Sequence, residues 1–409
     1  MVNETHDHSA VYLLATLDTK GPEAALIRDR LLELGLDVVV LDTGCVGKPT
    51  YTGDISRDAV FVAAGTTLAA MIAKKDRGVA VTKAAAGATA IVLDAFKRGK
   101  VDGVIALGGS AGTTIGTAAM RALPIGVPKV MVSTLASGDV RQWVGDKDIV
   151  MFNSVVDIAG INRISRQILS NAASAMAGMV QHRAAASKDD KPLVAATMFG
   201  VTTPCVEQAR EVLEAAGFEV LVFHATGNGG QAMESLIREG LIAGVLDITT
   251  TELADDLVGG VLSAGPNRLT AAAKMNVPQV VSVGATDMVN FWAPETIPVE
   301  FKGRKFHKHN ATVTLMRTTV EECKLLGQEI GHKVSLTHGP AAILLPLKGV
   351  SAIDCEGGPF DDPTARKALF DAIRSSHGHV ELVKVDAHIN DREFAEAAAT
   401  KLIQLMKVK

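Results

Sequence analysis

A chain of 409 residues is too long for one ordinary core and points to two domains. Its 47% apolar and 21% charged residues make a globular balance, and a net charge of −4 without a basic stripe argues against a nucleic-acid partner. Aromatics at 4% leave no stacking platform for single strands, and four scattered cysteines without a CxxC pair argue against structural zinc or a disulfide framework.

The start, MVNETHDHSA, has neither the basic nor the apolar region of a leader. No apolar run is expected to span a bilayer, so a cytoplasmic protein without a membrane partner is the expectation. Residues 11–15 form an apolar run, the expected first strand. Residues 22–34 place Leu26, Ile27, Leu31 and Leu34 at helical spacing, with Gly35 as the stop. A second strand is expected over 38–41, a helix over 80–98 closed by Gly99, and strands over 101–107 and 127–132. This alternation specifies a parallel sheet covered on both faces. Residues 154–179 read as a long helix entry, with Asp157 near its start as cap or ligand and Asn162, Ser165 and Asn171 as polar positions among small residues.

The pattern breaks at AAASKDDKP, from Ala184 to Pro192. Lobes are expected over 1–185 and 193–409 with a linker at 186–192. Beyond the linker the opening repeats. LVAATM echoes VYLLAT, and AREVLEAAGFEVLVF echoes DRLLELGLDVVVL, which places Gly217 opposite Gly35. IAGVLDITTT then echoes VDGVIALGGS, and VPQVVSVG echoes VPKVMVST. The shared order points to a duplication. The expected fold is α/β: two Rossmann-like lobes, each a mainly parallel sheet flanked by helices.

The loop in VIALGGSAGTTIGTAAM follows a strand and opens a helix. Free N–H groups at a helix start bind anions. Gly108, Gly109 and Gly112 allow close backbone approach, and Ser110, Thr113 and Thr114 add hydroxyls. The loop lacks the Lys of a Walker A motif and does not follow the first strand as the dinucleotide fingerprint does. A phosphate cradle and a tight packing turn both fit it. Ligands of open parallel sheets lie beyond the carboxyl ends of the strands. Thr16, Asp18, Thr19 and Lys20 follow the first strand, Asp42, Thr43 and Gly44 the second, and Ser133, Thr134 and Ser137 a later one. Lys20 would neutralise phosphate, and Asp18 or Asp42 would hold magnesium or a ribose hydroxyl. Their structural alternatives are an N-cap for Asp18, a solvated chain for Lys20 and a turn former for Asp42.

In the second lobe Thr249, Thr250, Thr251 and Glu252 replace the glycine turn, and Asn228, Gly229 and Gly230 open another helix. This divides roles: nucleotide in the first lobe, a second small-molecule substrate in the other. His307 and His309 share a strand face without a third metal ligand, with Arg304 and Arg317 nearby in sequence; His6 and His8 lie in the tail. Residues 346–363 form a Gly/Pro-rich lid or connection carrying Asp354, Glu356, Asp361 and Asp362. Cys45 and Cys205, one per lobe, raise a racemase-like alternative, against which their unequal positions speak.

The stretches TLDTKGPE, GDISRD, IALGGSAGTT, MVSTLASGD, SVVDIAGIN with ILSNAA, FHKHNATVTLMRT, and KGVSAID with GGPFDDP run through nearly the whole chain. Together they resemble the ATP-binding domain family typified by the plant tobamovirus-resistance protein. The resemblance implies two Rossmann-like subdomains, a homodimer, and binding of ATP with magnesium. In the plant protein the domain inhibits a viral replication protein and precedes a TIM barrel; here that barrel is expected to be absent or a separate polypeptide partner. On the combined reading, Thr16, Asp18, Thr19, Lys20, Asp42, Gly108, Gly109, Ser110, Gly112, Thr113, Ser133, Thr134 and Asp157 surround the nucleotide. The expected activity is phosphoryl or adenylyl transfer to a small metabolite, or else a nucleotide-responsive module acting on a partner protein.

Overall fold

Parallel strands need both faces covered, because their crossovers return as helices on either side. The computed structural model describes residues 8–184 and 190–407. His6 and residues 186–189 of the expected linker lie outside the described residues. The chain divides into two units, Met1–Ala186 and Ser187–Lys409.

The first unit runs β1 (Ala10–Ala15), α1 (Leu17–Glu33), β2 (Val38–Asp42), α2 (Arg57–Ala63), α3 (Leu68–Lys74), α4 (Arg77–Lys97), β3 (Val101–Gly108), α5 (Ser110–Arg121), β4 (Lys129–Ser133), α6 (Arg141–Val144), β5 (Val150–Asn153) and α7 (Arg163–Gln181). Its parallel sheet has the order β2-β1-β3-β4-β5. The period of two along β1 sends Tyr12 and Leu14 into one core and Val11, Leu13 and Ala15 into the other. The first core takes Val60, Phe61, Ala84, Ala88 and Ile115 from α2, α4 and α5; the second takes Ile27, Leu31, Leu169 and Met176 from α1 and α7.

The second unit runs β6 (Leu193–Met198), α8 (Thr203–Ala215), β7 (Glu219–His224), α9 (Asn228–Arg238), β8 (Gly244–Thr249), α10 (Thr251–Val258), α11 (Ala271–Met275), β9 (Gln279–Gly284), β10 (Met288–Phe291), β11 (Phe306–Lys308), β12 (Thr314–Arg317), α12 (Val320–Ser335), β13 (Ala341–Pro346), α13 (Pro363–Ser376), β14 (Glu381–Val385) and α14 (Arg392–Lys407). Its parallel sheet has the order β14-β13-β9-β8-β6-β7. A small antiparallel sheet, β10-β12-β11, is an addition that the alternation does not announce. Both units are therefore α/β, with mainly parallel sheets flanked by helices.

The internal repeat reappears as register. Val104 pairs with Lys129 as Val245 pairs with Gln279, the partners that the aligned repeats place opposite each other. Gly35 and Gly217 end α1 and α8 with φ of 80° and 94°, a left-handed conformation that favours glycine.

Three expectations are corrected. The first helix begins at Leu17, not at residue 22, and breaks at Lys20 (φ −129°, ψ 21°). Pro22 has no N–H and crowds the carbonyl four residues back, so the leading turn stands apart from the main helix. The helix expected from 154 begins at Arg163, capped by Asn162 in a box with Ser165. Residues 154–162 are a loop, which removes Asp157 from any capping role. Finally, α4 is long and apolar enough by composition to cross a membrane, although no such run was expected. Its Ala84, Ala88 and Val92 face the first core instead.

Candidate functional site: a cavity at the β1/β3 crevice

In the order 2-1-3-4-5, the chain leaves β1 and β3 for opposite faces of the sheet, which opens a crevice between their carboxyl ends. Two helix starts, those of α1 and α5, meet there. The α5 start has no side-chain cap, whereas at α1 the Asp42 carboxylate takes the Leu17 N–H and the Thr16 carbonyl takes those of Thr19 and Lys20. A cavity of about 260 Å³ lies between the two helix starts, walled by Thr16, Asp18, Thr19, Lys20, Gly108, Gly109, Ser110, Gly112 and Asp157. Nine of the thirteen residues expected at the site thus line one space.

The glycine turn is built for close approach. Gly108 has φ of 154°, and a Cβ on it would lie 2.9 Å from Gly112 Cα. A Cβ on Gly112 would lie 2.7 Å from the Leu107 carbonyl oxygen. The first intrahelical bond of α5 runs from Thr113 N–H to Gly109 O, 2.8 Å. The amides of Ser110, Ala111 and Gly112 precede it and have no helical acceptor.

On the α1 side, Thr16 and Thr19 hydroxyls pair at 2.8 Å. Lys20 donates from Nζ to the Ile158 carbonyl, and the buried Glu23 carboxylate accepts from Gly160 N–H at 2.6 Å. These two bonds hold the 154–162 loop against α1 and bring Asp157 to the cavity wall. Asp18 Oδ2 accepts from Val46 and Gly47 N–H at 2.8 and 3.0 Å, which fastens the loop after β2. Gly21 permits the same closure, since a Cβ there would lie 1.6 Å from Thr50 Oγ1.

Four expected residues do not reach the cavity. Asp42 is buried, and its Oδ1 accepts from Leu17 N–H (3.1 Å) and Gly44 N–H (2.9 Å). Burial raises its pKa against those two bonds. It braces the turn rather than holding magnesium or ribose. Thr113 Oγ1 donates to Gly109 O (2.8 Å) and pairs with Ser133 Oγ (2.7 Å). Ser133 Oγ also accepts from Leu135 N–H at 3.0 Å, and Thr134 N–H donates to Gly108 O at 3.3 Å. These residues tie the turns after β3 and β4 together behind the glycine loop.

Thr43, expected beyond the second strand, also lines the cavity, as does Cys45, expected only in a racemase-like role; sequence reasoning missed Arg77 and Val46. Arg77 opens α4 and arrives through the long excursion between β2 and β3. The length of that excursion, far beyond one crossover helix, was the available signal. Burial and the nearby Asp18 charge push the Cys45 thiol up, so it is no ready thiolate. Among the described residues no group of three or more His, Cys, Asp and Glu assembles for a metal. Magnesium needs less: one or two carboxylates, substrate phosphates and waters. Asp18 and Asp157 fit that donor set.

Residues 9–185 match the N-terminal domain, and 191–406 the C-terminal domain, of the uncharacterised protein family UPF0261. The chain belongs to the UPF0261 family. A UPF0261 protein of Clostridium tetani is 53% identical over 97% of this chain and 99% of its own length. The ToMV resistance protein Tm-1(GCR237) of Solanum lycopersicum is 49% identical over 74% of this chain and 41% of its own. Among solved structures, UDP-N-acetylglucosamine 2-epimerase from Rickettsia bellii covers 97% of this chain and 96% of its own at 9% identity, with a TM-score of 0.23. A likeness that loose carries no functional argument.

In this UPF0261 chain the second lobe treats its own crevice differently. Thr202 and Thr249 hydroxyls join at 2.8 Å between β6 and β8, both fully buried. Glu252 turns onto the start of α9, where its Oε1 accepts from Gly227 N–H (2.7 Å) and Gly230 N–H (3.1 Å). Arg268, fully buried, donates to Glu252 (2.6 Å) and to both oxygens of Asp247 (2.5 and 2.7 Å). The chain supplies its own anion and counter-cation there.

The 346–363 loop is a pinned connection. Ala352 N–H donates to Val201 O at 3.0 Å, and Asp354 accepts from Arg317 (3.3 Å) and Arg366 (2.9 Å). Burial and the nearby Asp354 charge push Asp287 up to about 7. His307 packs edge-on against Phe360, while His309 lies past the end of β11. Cys205 is wholly buried in the core and pushed up to about 12, so it offers no acid or base to a racemase.

Proposed function

We infer that the N-terminal lobe binds a nucleoside triphosphate, ATP as its magnesium complex, by its phosphates. One observation carries this reading: the uncapped start of α5, two cationic side chains (Lys20 and Arg77) and three hydroxyls (Thr16, Thr19 and Ser110) converge on one cavity. Helix-start amides and oriented cations bind phosphate without a covalent partner. Asp18 and Asp157 would carry the magnesium, offsetting their own repulsion of the phosphates. A cavity of about 260 Å³ falls below the roughly 300–1,000 Å³ that encloses a whole drug-sized ligand. It suits the phosphate end, with the nucleoside lying beyond it.

The test is a calorimetric titration of Mg–ATP into wild type, Lys20→Met and Arg77→Met. Each variant is expected to weaken binding about tenfold, one charge-assisted contact's worth. Unchanged affinity in both variants, or no uptake at millimolar nucleotide, overturns the reading.

Phosphoryl transfer works by positioning and charge neutralisation, and this wall supplies both. Phosphoryl or adenylyl transfer to a small metabolite is therefore the activity we propose. The second reading, a nucleotide-responsive module acting on a partner protein, takes support from the name of the plant relative, a ToMV resistance protein. Steady-state ATP consumption with small acids or sugars separates the two.

A further inference from the structure

Next to the phosphate cavity lies a second one of about 240 Å³, lined by Met71, Ile72 and Ala80 with Lys75 and Asp76 at its edge. The two cavities share Cys45, Val46 and Arg77 as walls. Their chemistry differs. The first presents amides, hydroxyls and charge; the second is faced mainly by aliphatic and sulfur-bearing side chains. Two of its apolar side chains stand open, Val46 at 73% and Ile72 at 49% exposure. The neighbouring helix start cannot draw an anion into it, because Asp76 already caps α4, accepting from Val79 N–H at 3.0 Å. The cavity's charged residues, Lys75, Asp76 and Arg77, stand beside a wall that is otherwise apolar.

A flat, neutral, polarizable group suits that wall. Thioether sulfur makes favourable contacts with aromatic rings, and a guanidinium stacks on their faces. Arg77 stands between the two cavities and, among the described residues, has no ion-pair partner. Building on the phosphate reading above, we propose that this second cavity is the base subsite: it takes the purine of the same nucleotide, with Met71, Ile72, Val46 and Ala80 against the ring and Arg77 at the junction with the phosphates. Because this wall offers mainly apolar contact, it selects for a purine surface and discriminates little between one purine and another.

The experiment compares ATP, GTP and inorganic tripolyphosphate, each with magnesium, on wild type, Ile72→Ser and Met71→Gln, two positions that line the second cavity and not the first. Ile72 is exposed and Met71 only partly buried, so both variants are expected to fold. ATP and GTP are expected to bind wild type within tenfold of each other and at least tenfold more tightly than tripolyphosphate. Each variant is expected to weaken both nucleotides about fivefold, the effect of losing part of one apolar contact, and to leave tripolyphosphate unchanged. Equal losses for nucleotide and tripolyphosphate, or undiminished nucleotide affinity in both variants, overturn the base subsite. Tripolyphosphate failing to bind wild type, while the variants still weaken ATP, overturns the phosphate reading and leaves the base subsite standing.

Discussion

Gly108 and Gly109 are neighbours with different demands on the chain. Gly108 sits at φ 154°, and its Cβ would press on Gly112 Cα at 2.9 Å; Gly109 sits at φ −79°, with only Thr134 Oγ1 at 3.6 Å from its Cβ. Gly108→Ala is therefore expected to destabilise the protein by about 2 kcal/mol, from a disfavoured dihedral and a backbone contact. Gly109→Ala is expected to stay within about 0.5 kcal/mol of wild type. Urea midpoints of the two variants check this, and equal losses would show that the turn is not shaped as described. The composition of the glycine loop was legible in the sequence, but this difference was not. Which glycine faces a backbone atom depends on how the loop folds over the first turn of α5. The same limit explains Asp42, Thr113 and Ser133. Sequence places them near strand ends and the helix start, but strand parity and turn geometry point their side chains inward, onto backbone groups and each other.

At the scale of elements, α5 and α9 both begin after a strand of a parallel sheet, yet only α5 stays open. Glu252, from the first turn of α10, closes α9, and Arg268 closes Glu252. Removing the cation would leave Asp247, Glu252 and Glu234 buried together, with Arg268 Nη1 otherwise 3.7 Å from Glu234. Arg268→Met is expected to lower stability by roughly 3–5 kcal/mol, and Arg268→Lys to recover little, because an ammonium cannot reproduce the planar fork. Thermal melts of the two variants test this; a wild-type melting temperature for either would mean the cluster does not hold the lobe. The TTTE sequence showed that the glycine turn was gone. It did not show that the carboxylate bends toward the start of another helix, since its partners Gly227 and Arg268 come from separate connections.

At the scale of the molecule, the two sheets share strand order around β1/β3 and β6/β8, and one crevice is open where the other is filled. One nucleotide per chain is the expected stoichiometry, measured by equilibrium dialysis against Mg–ATP; two per chain would show that the threonine-filled crevice opens. The sequence by itself determined the α/β class, the repeat of its lobes and the strand ends that meet at the crevice. Those features follow from local periodicity and from the fixed rule that parallel strands need covered crossovers. Only the tertiary structure decided which side chains face the cavity, that Arg77 and the loop after β2 complete it, and that the second lobe fills its own anion site. Those outcomes depend on contacts between segments distant in the chain, and no local pattern encodes the direction in which a side chain turns when such segments meet.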